Sequence, residues 1–174
     1  MLTRTKDYVF FYYGDDIYSN FYRVPFEFAG LRFFCSEQAL MWAKALYFRD
    51  YATASKIAHV DPKPRNAPFQ CKMLGRGVKP YNDDQWAEVR YTVMCDILMA
   101  KFGQNVDLTD ELLATEDRVI VEASPTDVIW GIGMDTDNPD ILDSTCWRGL
   151  NLLGNALMYT RERLRSQRNN NSIQ

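Results

Sequence analysis

Glu37 and Lys44 stand seven residues apart in SEQALMWAKA, residues 36–45. At about 3.6 residues per turn, that spacing is almost two turns, so both side chains project from one helical face with Met41 between them. Leu40, Met41, Trp42, Ala43 and Ala45 are residues a core takes, and ionisable groups rarely enter such company unless they are paired or used. A carboxyl and an amine on one apolar face suit proton transfer and covalent catalysis. A carboxylic acid of raised pKa protonates a leaving group, and a desolvated neutral amine attacks an aldehyde carbon to form a Schiff base. The same pair also suits a plain ion pair on the solvated edge of an amphipathic helix, and these ten residues leave both readings open.

The elements that must hold this face follow from periodicity and turn residues. YVFFYY at 8–13 is an aromatic strand ending at Gly14-Asp15-Asp16, and FEFAGLRFF at 26–34 alternates around Ala29-Gly30 as a hairpin does. Ser36 is the expected N-cap of a helix reaching Phe48, with a second short helix over 50–60. DPKPRNAP, with three prolines in eight residues, predicts an exposed loop before LGRGVKPYN. Asp83 or Asp84 is expected to cap a long helix carrying Trp86, Val89, Val93, Ile97, Leu98 and Phe102 at helical spacing. DLTDELLAT reads as a short helix, RVIVEAS as a strand, DVIWGIGM as a glycine-bearing loop, and NLLGNALMYTRERLRSQ as a final amphipathic helix before a frayed end.

Together these predict an α+β fold, a single compact, mainly helical domain with a few short strands. The boundaries are a lead-in over 1–7, the domain over 8–165 and a flexible tail over 166–174. The 174 residues, 47% hydrophobic and 14% aromatic, suit one sizeable core. Cys35, Cys71, Cys95 and Cys146 are widely spaced and His59 is the only imidazole, so no metal site is expected. The thiols neighbour Phe34, Met94 and Trp147 and read as small hydrophobes of a reducing cytoplasm. The opening MLTRTKDYVFFYYGDD lacks an apolar h-region and no stretch approaches about 18 apolar residues, which predicts neither secretion nor membrane insertion. A net charge of −3 supplies no global field for polyanions, so any nucleic-acid contact must be local.

SNFY at 19–22, PFEFAG at 25–30, SEQALMWAKA, LGR at 74–76, the Trp86 to Arg90 pair, KFGQN at 101–105, EASPTDVIWGIG at 122–133 and WRGLNLLGNALMYTRERL at 147–164 occur in one order. In this the chain resembles the NADAR family, the NAD- and ADP-ribose-associated N-glycosidases. The resemblance implies hydrolysis of a bond between the ribose anomeric carbon and a nitrogen, without a cofactor. It implies either of two substrates, ADP-ribosylated guanine or the ribosylaminopyrimidine phosphates of riboflavin synthesis. The family's important residues match Glu37, Trp86 and Asp127, and its helical lysine matches Lys44. GIG at 131–133 departs from YbiA-like members that carry an acid between the glycines, which leaves the substrate subgroup open.

N-glycoside cleavage needs a proton for the base and stabilisation of positive charge at the sugar carbon. Glu37 and Asp127 are the expected carboxylates, with Lys44 as the alternative nucleophile. Trp86 or Trp130 suits stacking on a base, Gly131 and Gly133 a close backbone approach to ligand, and Arg76 a phosphate. Asn20 suits a ribose hydroxyl, and Arg148 and Asn151 the N-terminus of the last helix, which favours anions. The expected partner is a nucleotide-like small molecule, with ADP-ribosylated nucleic acid contacted locally, and no membrane or metal. A non-catalytic ADP-ribose or NAD-type nucleotide-binding module is the second reading. It needs stacking and phosphate groups but no proton donor, so the joint presence of Glu37, Lys44 and Asp127 favours the enzyme.

Overall fold

The computed structural model describes residues 2–171. Along the chain run β1 (Thr3–Arg4), β2 (Tyr8–Phe11), β3 (Phe26–Phe28), β4 (Leu31–Phe33), α1 (Ser36–Tyr47), α2 (Tyr51–Ala58), α3 (Ala67–Arg76), α4 (Asp83–Gly103), α5 (Val106–Leu113), β5 (Val119–Glu122) and α6 (Leu152–Asn171). The fold is α+β and mainly helical. Contacts cluster into two compact units, residues 20–104 and a second joining the N-terminal 19 residues to 105–174.

In the 20–104 unit, α1 is packed by α2, α3 and α4. Being enclosed, it buries Glu37, Gln38, Ala39, Leu40, Met41 and Ala45. Its N-cap is Cys35 in extended conformation, one residue before the expected Ser36, and the cap makes no side-chain hydrogen bond. The first-turn amide of Glu37 is met by the Asn20 carbonyl at 2.9 Å, and Gln38 anchors the helix start: its Oε1 accepts from the Phe34 amide at 3.0 Å and its Nε2 donates to the Ile57 carbonyl at 3.0 Å, tying α1 to α2. The β3–β4 hairpin turns at Ala29 and Gly30, both at positive φ (50° and 79°), which is the primed turn that matches strand twist. Its aromatic side chains meet α1 through Phe33 and Trp42, 5.4 Å apart.

Two further expectations are corrected in this unit. Residues 67–76 form α3, which takes in Ala67 and Pro68 from the end of the expected loop, because Pro68 falls in the first turn of the helix, where a missing amide costs nothing. The cap of α4 is Asn82, whose side chain accepts from Gln85 N at 2.9 Å, while Asp83 and Asp84 occupy the first turn and favour its dipole.

In the other unit, β2 lies between β1, antiparallel, and β5, parallel, in register Val9↔Ile120 and Phe10↔Val121. Phe10, Val121, Ala123, Ile132, Met134 and Ile141 form one apolar cluster under this sheet. Helix α6 packs on β5 and α5. The buried Arg161 fixes it there by donating to Thr115 Oγ1 at 2.9 Å and to the Arg118 carbonyl at 2.8 Å. It continues to Asn171, through most of the stretch expected as a tail, and 172–174 lie outside the described residues.

Candidate functional site

The opening pair is built into the 20–104 unit. Glu37 is 6% exposed, and its amide donates to the Asn20 carbonyl at 2.9 Å, which docks the SNFY segment on the first turn of α1. Asn20 is itself buried, and its Oδ1, like Ser36 Oγ, has no hydrogen-bond partner among the described residues. Buried acceptors of this kind are costly, roughly 1–3 kcal/mol each when unmet, and are places where a ligand donor is welcome.

Lys44 is half-buried. Its Nζ donates to the Gly75 carbonyl at 3.0 Å and lies 4.2 Å from the centre of the Tyr81 ring. Burial lowers its pKa from the ordinary lysine range, with Arg76 acting in the same direction, while the charges of Asp83 and Glu37 oppose the shift. Helical side chains lean toward the N-terminus, so the Lys44 stem points back along α1 toward the Glu37 turn. Gly75 permits this closeness: a Cβ there would lie 2.0 Å from Met41 Sδ, so any side chain would push α3 off α1.

Arg76, at the exposed end of α3, is near enough to influence Lys44. Trp86 is only 5% exposed and packs near Tyr47 and Phe48, with ring centres 5.9 and 6.5 Å away. The aromatic ring that is both accessible and beside the amine is Tyr81, 44% exposed, whose hydroxyl donates to Asp83 Oδ1 at 2.6 Å. Sequence reasoning passed over Tyr81 and gave Asp83 only the part of a helix cap. The signal was an aromatic between a proline and a helix cap, in KPYNDD.

Asp127, Trp130, Gly131, Gly133, Arg148 and Asn151 belong to the other unit, where main-chain bonds lace residues 122–133 to 148–153. Asp127 Oδ1 accepts from the amides of Ile129 and Trp130 at 2.9 and 2.8 Å, so that oxygen shapes the loop. Trp130 is partly buried, and its carbonyl accepts from Leu153 N. At the two glycines expected to let the backbone approach a ligand, the missing side chain makes room for the protein itself. A Cβ at Gly131 would meet the Glu122 and Asp127 carbonyls, and one at Gly133 would meet Val128 and Arg148, because protein atoms fill both spaces. Asn151, expected near the anion, spends its amide on β5: Oδ1 accepts from Glu122 N at 3.1 Å and Nδ2 donates to the Ile120 carbonyl at 2.9 Å. Arg148 is exposed, with its own amide donating to the Ile132 carbonyl.

A second lysine was missed. Lys101 has no exposure and lies 5.6 and 5.2 Å from the Tyr22 and Phe102 ring centres. The signal was its place on the apolar stripe of α4, beside Ile97, Leu98 and Phe102. Burial pushes its pKa down from 10.5 to about 7. Between those values the unfolded chain binds a proton that the folded chain does not, so stability rises with pH, by up to about 1.4 kcal/mol per unit. Burial pushes the Cys35 and Cys71 thiols up from 9.0 to about 12, so above pH 9 the folded chain keeps protons that the unfolded chain releases and stability falls. Urea unfolding midpoints should therefore rise from pH 7 to 9 and decline beyond, and Lys101→Met should abolish the rise. Midpoints of the unaltered protein that stay level between pH 7 and 9 would contradict it. The raised thiols also leave these cysteines protonated, and poor nucleophiles, at neutral pH.

Among the described residues no cluster of three or more His, Cys, Asp or Glu is placed to hold a metal ion, and no helix is long and apolar enough to cross a membrane. The family profile described as NADAR domain matches residues 10–165. Protein irg-1 of Caenorhabditis elegans is 37% identical over 92% of this chain and 81% of its own length. N-glycosidase R617 of Acanthamoeba polyphaga mimivirus is 36% identical over 91% of this chain and 96% of its own. The NMR structure of the E. coli protein YbiA superimposes with a TM-score of 0.75 at 27% identity, covering 95% of this chain and 89% of that one.

Proposed function

This chain belongs to the NADAR domain family, and we infer that it is an N-glycosidase, a hydrolase of the bond between ribose C1 and a nitrogen of a heterocyclic base. The observation that carries the mechanism is Lys44: a half-buried amine whose proton is loosened by burial, two turns from a buried carboxyl on the same helix. In the reaction the ring C1–O bond breaks as Glu37 protonates the ring oxygen, leaving an iminium at C1; the neutral Lys44 Nζ adds there and passes a proton back to the Glu37 carboxylate. The bond from C1 to the base nitrogen then breaks as Glu37 delivers a proton to that nitrogen, leaving a Schiff base between C1 and Nζ. Water adds to this imine, C1 becomes the sugar aldehyde, and Lys44 leaves as the amine. Tyr81 supplies an exposed ring beside the amine, Arg76 a cation for the substrate phosphate, and the unmet Asn20 Oδ1 an acceptor for a ribose hydroxyl.

ADP-ribosylated guanine and a ribosylaminopyrimidine phosphate present the same C1–N bond with a phosphate on the ribose, so this set of groups can serve either. Incubation with each, followed by detection of free sugar and free base, tests the reading. Release from one or both is the expected result. Tight binding of ADP-ribose with no release from either substrate would replace it with a binding module.

A further inference from the structure

Helix α3 buries Ala67, Cys71 and Gly75 and turns a different face to water. On that face Phe69 is 50% and Met73 46% exposed, and Lys72 and Arg76 stand on the same stripe, at the i, i+3, i+4, i+7 spacing of one helical side. Lys63 and Arg65 are exposed just before the helix, on a loop that the Arg23 guanidinium tethers by donating to the Pro62 and Pro64 carbonyls. Lys79 is exposed just after it. Residues 56–80 hold six Lys and Arg against one Asp, in a chain whose net charge is −3. Positive charge is thus concentrated where two large apolar side chains stand in solvent.

The chemistry of this face selects its occupant. A duplex keeps its bases stacked inside, so it would engage the cations of this face and leave Phe69 and Met73 in water. Holding a membrane surface needs a broad apolar face, and α3 exposes two such side chains in ten residues. A basic track interleaved with an accessible aromatic ring is what single strands use, with phosphates on the cations and bases on the ring. We propose that the exposed face of α3, with the loop before it, binds single-stranded nucleic acid and presents a strand carrying the modified guanine to Lys44. The second part rests on the glycosidase reading above. The same helix supplies the Gly75 carbonyl that holds Lys44, and an α-helix with its side chains is about 10–12 Å across, so a few nucleotides span from the face to the amine.

The test uses the full chain and a fluorescein-labelled, unmodified oligothymidylate of about 15 nucleotides, followed by anisotropy. The strand should bind, and binding should weaken with salt with a slope of about −0.7 per phosphate contacted. Phe69→Ala and the double variant Lys63→Glu, Lys72→Glu should each raise Kd about fivefold or more with unchanged circular dichroism. In Phe69→Ala the ratio of kcat/KM on an ADP-ribosylated strand to that on ADP-ribosylguanosine should fall by a similar factor. No binding, binding unchanged in both variants, or equally tight binding of a duplex, polyglutamate or phosphatidylserine vesicles would overturn the proposal. Cleavage of the nucleoside by a protein that ignores the strand would overturn this face alone, whereas residue-dependent strand binding without any cleavage would overturn the glycosidase reading and keep the face.

Discussion

Glu37→Gln should fold as the parent does and lose at least about a hundredfold in turnover, the usual scale for removing a general acid or base. Glutamine keeps the size and polarity of the side chain, so the enclosed first turn of α1 and its bond to the Asn20 carbonyl have no steric reason to change. What disappears is the proton. The leaving nitrogen must then depart as an anion or wait for water to protonate it, and water reaches a position only 6% exposed poorly. The loss belongs in kcat, with KM for the substrate little altered, because the acid acts on charge that develops in the transition state. Single-turnover rates and thermal midpoints measured on the same preparation separate chemistry from folding. A Gln variant within threefold of the parent in kcat removes Glu37 from proton transfer.

Lys44→Arg should lose more, about a thousandfold or beyond, since a nucleophile is removed outright. Arginine keeps the positive charge beside Tyr81 but cannot form the imine, so the substitution distinguishes a nucleophile from a charge partner. Borohydride added during turnover should reduce the Schiff base and leave a sugar adduct on Lys44 that mass spectrometry locates. The pH profile follows from the direction of the shift. Attack needs the neutral amine, and burial with Arg76 lowers the Lys44 pKa, so the rising limb of kcat/KM should lie below the ordinary lysine value of 10.5. Asp83 holds the proton on, so Asp83→Asn should move that limb to still lower pH. Appreciable activity in Lys44→Arg together with no trapped adduct would leave direct attack by water as the mechanism.

The hairpin at Ala29-Gly30, α1 and α4 could be read from the chain because their causes are local: a turn requiring positive φ, and apolar residues repeating at helical spacing. The family order of motifs and the Glu37–Lys44 pair were equally visible, since spacing along one helix already fixes which side chains share a face. Helix α3 was hidden by its prolines, whose effect reverses with position: Pro68 starts a helix that it would break a few residues later. Whether a polar group serves a ligand or the fold was not local information at all. Asn151 holds β5, and Gln104 exchanges hydrogen bonds with the backbone of Glu27, because the chain brings distant main-chain groups within reach of each. Trp86 and Tyr81 offer the same stacking chemistry in the sequence. Burial among Tyr47 and Phe48 closes the first and leaves the second open beside Lys44. The same holds for Lys44 and Lys101, whose residue type sets the chemistry each can do. The dielectric surroundings that lower both pKa values, and the solvent access that only Lys44 keeps, come from packing of residues far apart in sequence.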